Sequence, residues 1–159
     1  FLKKINLKYI VLCENLSISE IHTAGIPDNI MKTLILDIKF NEKYFKRVLH
    51  HEVFHIIYLQ HRKIFNEGEW TKFNNSKFKY AECSTCTKKI GLKKYEKTKG
   101  FFTEYSMSTA SEDMAEVYSH MIHLKKKEIN QIRKLDPILN NKISYIENKI
   151  KQIDNSFTF

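Results

Sequence analysis

Arginine is scarce in this chain. It stands only at positions 47, 62 and 133, so lysine supplies 24 of the 27 basic residues behind a formal charge of +9. A nucleic-acid footprint gathers its cations into a concentrated patch. With no arginine cluster, and with many Asn and Ile beside the Lys, the basic balance reads as a bias toward AT-rich codons. No nucleic-acid partner is expected. A basic binder of nucleic acid or of an anionic surface would instead reveal itself by salt-dependent binding. Cysteine is nearly as scarce. Cys83 and Cys86 form a lone C-x-x-C, Cys13 stands apart, and the second pair that a structural zinc site requires is missing. That leaves a disulfide in the 83–86 loop or free thiols, and it leaves the compartment open.

Long apolar runs are missing too. None approaches the ~20 residues of a membrane helix, and no signal peptide stands at the start. The chain opens on Phe1 rather than Met and reads as a piece of a longer chain, processed or excised. At 159 residues and 19.0 kDa it is expected to form one domain over residues 1–159, long enough to bury a core.

What is there centres on residues 44–59, where His51-Glu52-Val53-Phe54-His55 forms an H-E-x-x-H pattern. On a helix, residues four apart lie on one face, one turn above each other. Two imidazoles so placed reach one zinc ion, with Glu52 beside them as base. Five residues with three fixed letters also recur by chance. Here Val48, Leu49, Val53, Phe54, Ile56, Ile57 and Leu59 make the segment apolar on most faces, as a buried helix requires. Two histidines and a glutamate buried there need partners, since an unpaired polar group costs several kcal/mol. A metal is the simplest partner.

Around this helix the pattern predicts an α+β fold. Lys8–Cys13 and 32–38 read as strands of a small sheet, and Gly25-Ile26-Pro27-Asp28-Asn29 reads as a turn. The active-site helix is expected from an Asn41 N-cap, with Glu42 in its first turn, to about Gln60. Residues 61–100 lose periodicity, and 88–99 is expected to be their mobile part; so long an irregular connection often borders a functional site. A second helix is expected from a Ser111 N-cap through Leu124. Asp136-Pro137 opens a third, whose seam of Leu139, Ile143, Ile146, Ile150 and Ile153 packs on the body of the domain rather than on another chain. The oligomeric state is not legible.

A catalytic zinc takes three protein ligands and keeps one position for water. Two residues compete for the third place. His61 completes the metzincin spacing with His51 and His55, but Tyr58 replaces the glycine that turns the chain out of the helix. If the helix continues, ten residues from His51 amount to about 1000°, some 80° off the ligand face. Glu112 is the alternative. Glu112 and Glu116, four apart, put two carboxylates on one face, one to bind zinc and one to hydrogen-bond a ligand histidine. A solvated charged face is the bland account, and it sits poorly with Met114, Ala115 and Val117 between and beside them.

His51-Glu52-x-x-His55 together with Tyr105 through Glu116, a Y-(x)6-E-x-x-A-E pattern, resembles the gluzincin metallopeptidases. The nearest patterns are those of the anthrax-toxin lethal factor catalytic domain and of the bacterial putative zinc-binding metallopeptidases. Gly100-Phe101-Phe102 and Trp70…Asn74…Phe78-Lys79-Tyr80 look like the latter group as well. The resemblance covers roughly residues 30 to 124; the 88–99 insert and Cys83-x-x-Cys86 depart from it. It implies a zincin-like fold with the sheet packed on the active-site helix and a helical C-terminal part. It implies a single catalytic zinc on His51, His55 and Glu112, with Glu116 behind a ligand histidine. Glu52 would be the base, Tyr105 would stabilise the oxyanion, and the activity would be that of a zinc endopeptidase on a peptide or protein substrate. A zinc-binding interaction module without turnover is the rival, and it would need neither Glu52 nor Tyr105.

Overall fold

The computed structural model describes residues 2–18, 20–40, 42–87, 91–93 and 97–159. After a short 3₁₀ turn at Leu2–Ile5 come β1 (Tyr9–Cys13), a two-residue-per-strand hairpin of β2 (Ser17–Ile18) and β3 (Ile21–His22), then β4 (Gly25–Asp28) and β5 (Thr33–Asp37). The sheet has the order β1-β5-β4, with β1 parallel and β4 antiparallel to β5. β5 is therefore central, and Leu34 and Leu36 are fully buried under the helices.

The expected strands at 8–13 and 32–38 are present. The expected turn at Gly25–Asn29 is not: residues 25–28 form β4, with Pro27 opposite Leu34. Proline lacks an N–H and is tolerated where a strand has a free side, and β4 lies at the sheet edge.

A 3₁₀ turn at Glu42–Tyr44 leads into α1 (Phe45–Gln60). The helix ends at Gln60 as expected but starts later than expected: its N-cap is Tyr44, Glu42 belongs to the 3₁₀ turn before it and not to its first turn, and Asn41 lies outside the described residues. Short α2 (Glu67–Thr71) follows, capped by the Asn66 side chain, which accepts from Glu69 N. Beyond a 3₁₀ turn at Tyr105–Met107 runs α3 (Ala110–His123). Its N-cap is Thr109 and not Ser111. The Thr109 backbone is extended (φ −139°, ψ 165°) and its hydroxyl accepts from Glu112 N, which puts Ser111 inside the first turn. Then come α4 (Lys126–Leu135) and α5 (Pro137–Ile153). Asp136 caps α5 as expected, its carboxylate accepting from Ile138 N and Leu139 N.

The core lies between α1, α3 and α5. Phe54, Ile56 and Ile57 of α1 meet Met114, Val117 and Tyr118 of α3, and the seam residues Leu139, Ile143, Ile146 and Ile150 close it from behind. No helix among the described residues is long and apolar enough to cross a membrane.

Candidate metal centre

α1 and α3 pack side by side, and each turns one pair of residues four apart toward the other. From α1 these are His51 and His55, from α3 Glu112 and Glu116. His51 Nε2 lies 2.9 Å from Glu112 Oε2, His55 Nε2 3.2 Å from the same oxygen, and the two Nε2 atoms 3.1 Å apart. These are the three described residues whose donor atoms group tightly enough to hold one metal ion. Ligands about 2.0–2.1 Å from a tetrahedral zinc stand roughly 3.3 Å from one another, close to the sides of this triangle.

The donor chemistry fits a cation as well. His51 Nδ1 donates to Glu116 Oε1 at 2.9 Å, which fixes the tautomer and leaves the Nε2 lone pair for the centre of the triangle. Glu116 Oε2 accepts from Arg47 Nη1 at 2.6 Å and from the Thr103 hydroxyl at 2.7 Å, so both its oxygens are engaged. Burial alone would push Glu116 up. The hydrogen bond from His51 and the Arg47 charge outweigh that and hold it down to about 2. Burial likewise works against a charge on His51, yet its hydrogen bonds to Glu112 and Glu116 raise it to about 10. Glu112 is held well below the usual carboxylate range: burial opposes this, and the His55 charge and the two histidine hydrogen bonds overcome it. Positive charge is in demand between these groups. Either a proton or a metal ion can meet it.

Glu52, next to His51 in sequence, packs against Gly25 of β4 and stands within electrostatic reach of His51, His55 and Glu112. It is buried, and burial pushes its carboxyl up against the opposing pull of His51 and His55. A Cβ on Gly25 would stand 2.6 Å from Glu52 Cγ, so glycine at this point of β4 is what makes room for the side chain. Tyr105 lies beside the triangle, its ring centroid 5.9 Å from that of His51, and burial with the nearby charges of Glu112 and Glu52 pushes its hydroxyl well above the usual phenol range.

Residues 1–156 match the family described as "Putative zinc-binding metallo-peptidase". The chain belongs to that family. A solved structure described as a putative zinc-binding metallo-peptidase from Bacteroides caccae is similar, at 19% identity and a TM-score of 0.51. The match covers 76% of this chain and 48% of that one, so this chain spans about half the length of that relative. Such an identity speaks for the fold alone, and the shared fold is α+β. No curated protein matches.

For this metallo-peptidase-family chain the structure brings together every site residue expected from sequence: His51, Glu52, His55, Tyr105, Glu112 and Glu116. His61 stays out of the metal group. α1 runs unbroken past Tyr58 to Gln60, and the His61 N–H still bonds back to Ile57 O as the helix cap. Arg47, Thr103 and Gly25 were not expected. Arg47 carried a usable signal, since it lies four residues before His51 and so on the same face of α1. Its other nitrogen donates to Leu92 O at 2.9 Å, which ties that residue's backbone to the site.

A second buried cluster fixes α3 from behind. Asp113 Oδ2 accepts from Trp70 Nε1 at 2.9 Å, from the Tyr80 hydroxyl at 2.6 Å and from Lys142 Nζ at 2.6 Å. Lys142 is fully buried, donates also to Gly100 O at 2.6 Å and lies 4.0 Å from the Phe101 ring centroid. Asp113 follows Glu112 in sequence and points to the opposite side of α3. Removing one partner would leave the other charge buried and uncompensated. The cluster ties α2, the 74–80 loop and α5 to the helix that carries Glu112 and Glu116.

Proposed function

We propose that this chain hydrolyses peptide bonds, with a single zinc ion held by His51, His55 and Glu112. The observation that carries the reading is the 2.9–3.2 Å convergence of their donor atoms, with the Tyr105 ring beside His51. Zinc bound there would supply a Lewis acid that lowers the pKa of a water toward ~7 and polarises the scissile carbonyl. Glu52 takes the proton of the attacking water and hands it to the leaving amine. A carboxyl pushed up by burial suits that exchange better than one left at its ordinary value. Tyr105 donates its phenolic proton to the oxyanion that develops on the carbonyl. Glu116, bound to Arg47 and Thr103, holds the His51 ring so that Nε2 faces the metal. The edge of β4 beside Glu52 offers main-chain groups to an extended peptide, which supports cleavage within a chain rather than at its ends.

The test is digestion of a mixed peptide library by the zinc-loaded protein, read by mass spectrometry with and without a chelator. Cleavage that a chelator stops and zinc restores is expected. A library left intact by zinc-loaded protein would favour the interaction module without turnover.

Gly25→Ala probes the same geometry from the sheet. The added methyl would displace the Glu52 side chain while leaving the three ligands alone. Turnover is expected to fall by up to about 10²-fold, the scale of a misplaced catalytic group, with zinc affinity unchanged. Parent-like turnover in this variant would mean that Glu52 has room to work elsewhere.

A further inference from the structure

Two adjacent carbonyls, on Gly91 and Leu92, join two parts of the candidate centre. Leu92 O accepts from Arg47 Nη2 at 2.9 Å, and Gly91 O accepts from Tyr105 N at 3.1 Å. Both residues are half-buried and belong to no helix or strand, so these bonds are what fix the dipeptide to the site. Arg47 lies at one end of the link. It is 4% exposed, and its Nη1 donates to Glu116 Oε2 at 2.6 Å, while Glu116 Oε1 accepts from His51 Nδ1 at 2.9 Å. One planar guanidinium thus spans from the carboxylate behind a candidate ligand to the segment that seats Tyr105. Tyr105 opens the 3₁₀ turn before α3, so the place where its backbone is held decides where its ring reaches. The approach is close: a Cβ on Gly91 would stand 2.8 Å from Glu104 Oε2 and 3.3 Å from Glu104 Cβ.

We propose that Arg47, besides steadying Glu116, is a positioning residue for Tyr105, which it reaches through the backbone of Leu92 and Gly91. This rests on the reading of the site as a hydrolytic zinc centre with Tyr105 as oxyanion donor. Such a donor works only within about 2.7–3.1 Å of the place where the charge develops. The phenol must therefore keep a fixed distance from the metal ligands. His51 and Tyr105 come from different elements, α1 and the turn before α3, with ring centroids 5.9 Å apart. Arg47 bonds toward both. A guanidinium presents its donors in a rigid fork, so Nη1 and Nη2 serve two acceptors at a set separation. A lysine ammonium on its flexible stem would not fix that separation. Neutralising Glu116 takes only one end of the fork. The other end is given to a main-chain carbonyl outside any helix or strand, where a charge-assisted bond holds more firmly than a neutral one.

The experiment uses acetohydroxamate, a small zinc ligand whose carbonyl oxygen takes the place of the substrate's, and reads its binding to the zinc-saturated chain by calorimetry. Zinc affinity is measured beside it by chelator competition. Tyr105→Phe is expected to weaken acetohydroxamate about tenfold, the scale of one hydrogen bond to an ionised group. Arg47→Lys keeps a charge beside Glu116 and gives up the bond to Leu92 O. It should weaken acetohydroxamate about three- to tenfold and zinc by less than about threefold. The double variant should bind like Tyr105→Phe, within about twofold, because a residue that acts through the Tyr105 hydroxyl then has nothing left to position. A purely structural loss would multiply with it instead. Gly91→Val reaches the same segment without touching a buried charge, by crowding Glu104 Cβ. It should follow the pattern of Arg47→Lys, and it decides by the same criteria should Arg47→Lys not fold. If Tyr105→Phe weakens binding and Arg47→Lys does not, or if the two losses multiply, the proposal is overturned and the reading of the site stands. The same holds if Arg47→Lys costs zinc as much as acetohydroxamate, since Arg47 then serves Glu116 alone. If Tyr105→Phe changes nothing, or the parent binds no acetohydroxamate, the proposal falls together with the reading beneath it.

Discussion

Glu52→Gln is expected to keep its zinc and lose its turnover, by about 10²- to 10⁴-fold, the range a positioned general base contributes. The amide has the shape of the carboxylate, so it fits the space that Gly25 leaves against β4. It cannot accept the proton of the attacking water. Glu52 is not among the three residues whose donors converge, so the metal should be retained in full. Folding should not suffer either. Burial already works against the charge of Glu52, and a neutral side chain relieves that cost. Thermal unfolding of the variant should therefore match or exceed the parent, which separates lost chemistry from lost structure. A Glu52→Gln protein as active as the parent would remove Glu52 from the mechanism.

Much of this site was legible because its spacing is local. His51 and His55 lie one turn apart, as do Glu112 and Glu116, and both pairs sit among apolar residues that reveal buried helices. α5 was legible for the same reason, with a cap at Asp136 and a seam behind it. Partners chosen across the chain were not. Arg47 and Glu116 stand 69 residues apart, Trp70 and Asp113 stand 43 apart, and no period connects them. β4 was misread because Gly25 and Pro27 carry turn chemistry, which an edge strand tolerates and a central one does not. α4 gave little signal because only Ile129 of its residues is buried. The choice between Thr109 and Ser111 as cap turned on backbone angles that no composition reveals. Gly25 was missed for a different reason. What it must avoid is a side chain on another element.

The second large effect concerns the third ligand. Glu112 reaches both histidine Nε2 atoms through one oxygen, whereas His61 caps a helix that runs on past Tyr58. Glu112→Ala takes the site from three ligands to two and leaves the two imidazoles facing each other 3.1 Å apart with no carboxylate between them. Zinc affinity is then expected to fall by well over the effect of any neighbour. Glu116→Ala keeps all three ligands but frees the His51 ring and leaves Arg47 buried without its carboxylate. It should cost about 10- to 100-fold in affinity, the usual range for a group behind a ligand. His61→Ala should cost next to nothing.

The most direct measurement is zinc affinity by competition with a chelator across the parent, Glu112→Ala, Glu116→Ala and His61→Ala, which needs no knowledge of the substrate. One zinc per parent chain is expected, with a loss that is largest for Glu112→Ala, intermediate for Glu116→Ala and absent for His61→Ala. Zinc retained by Glu112→Ala and stripped by His61→Ala would contradict it.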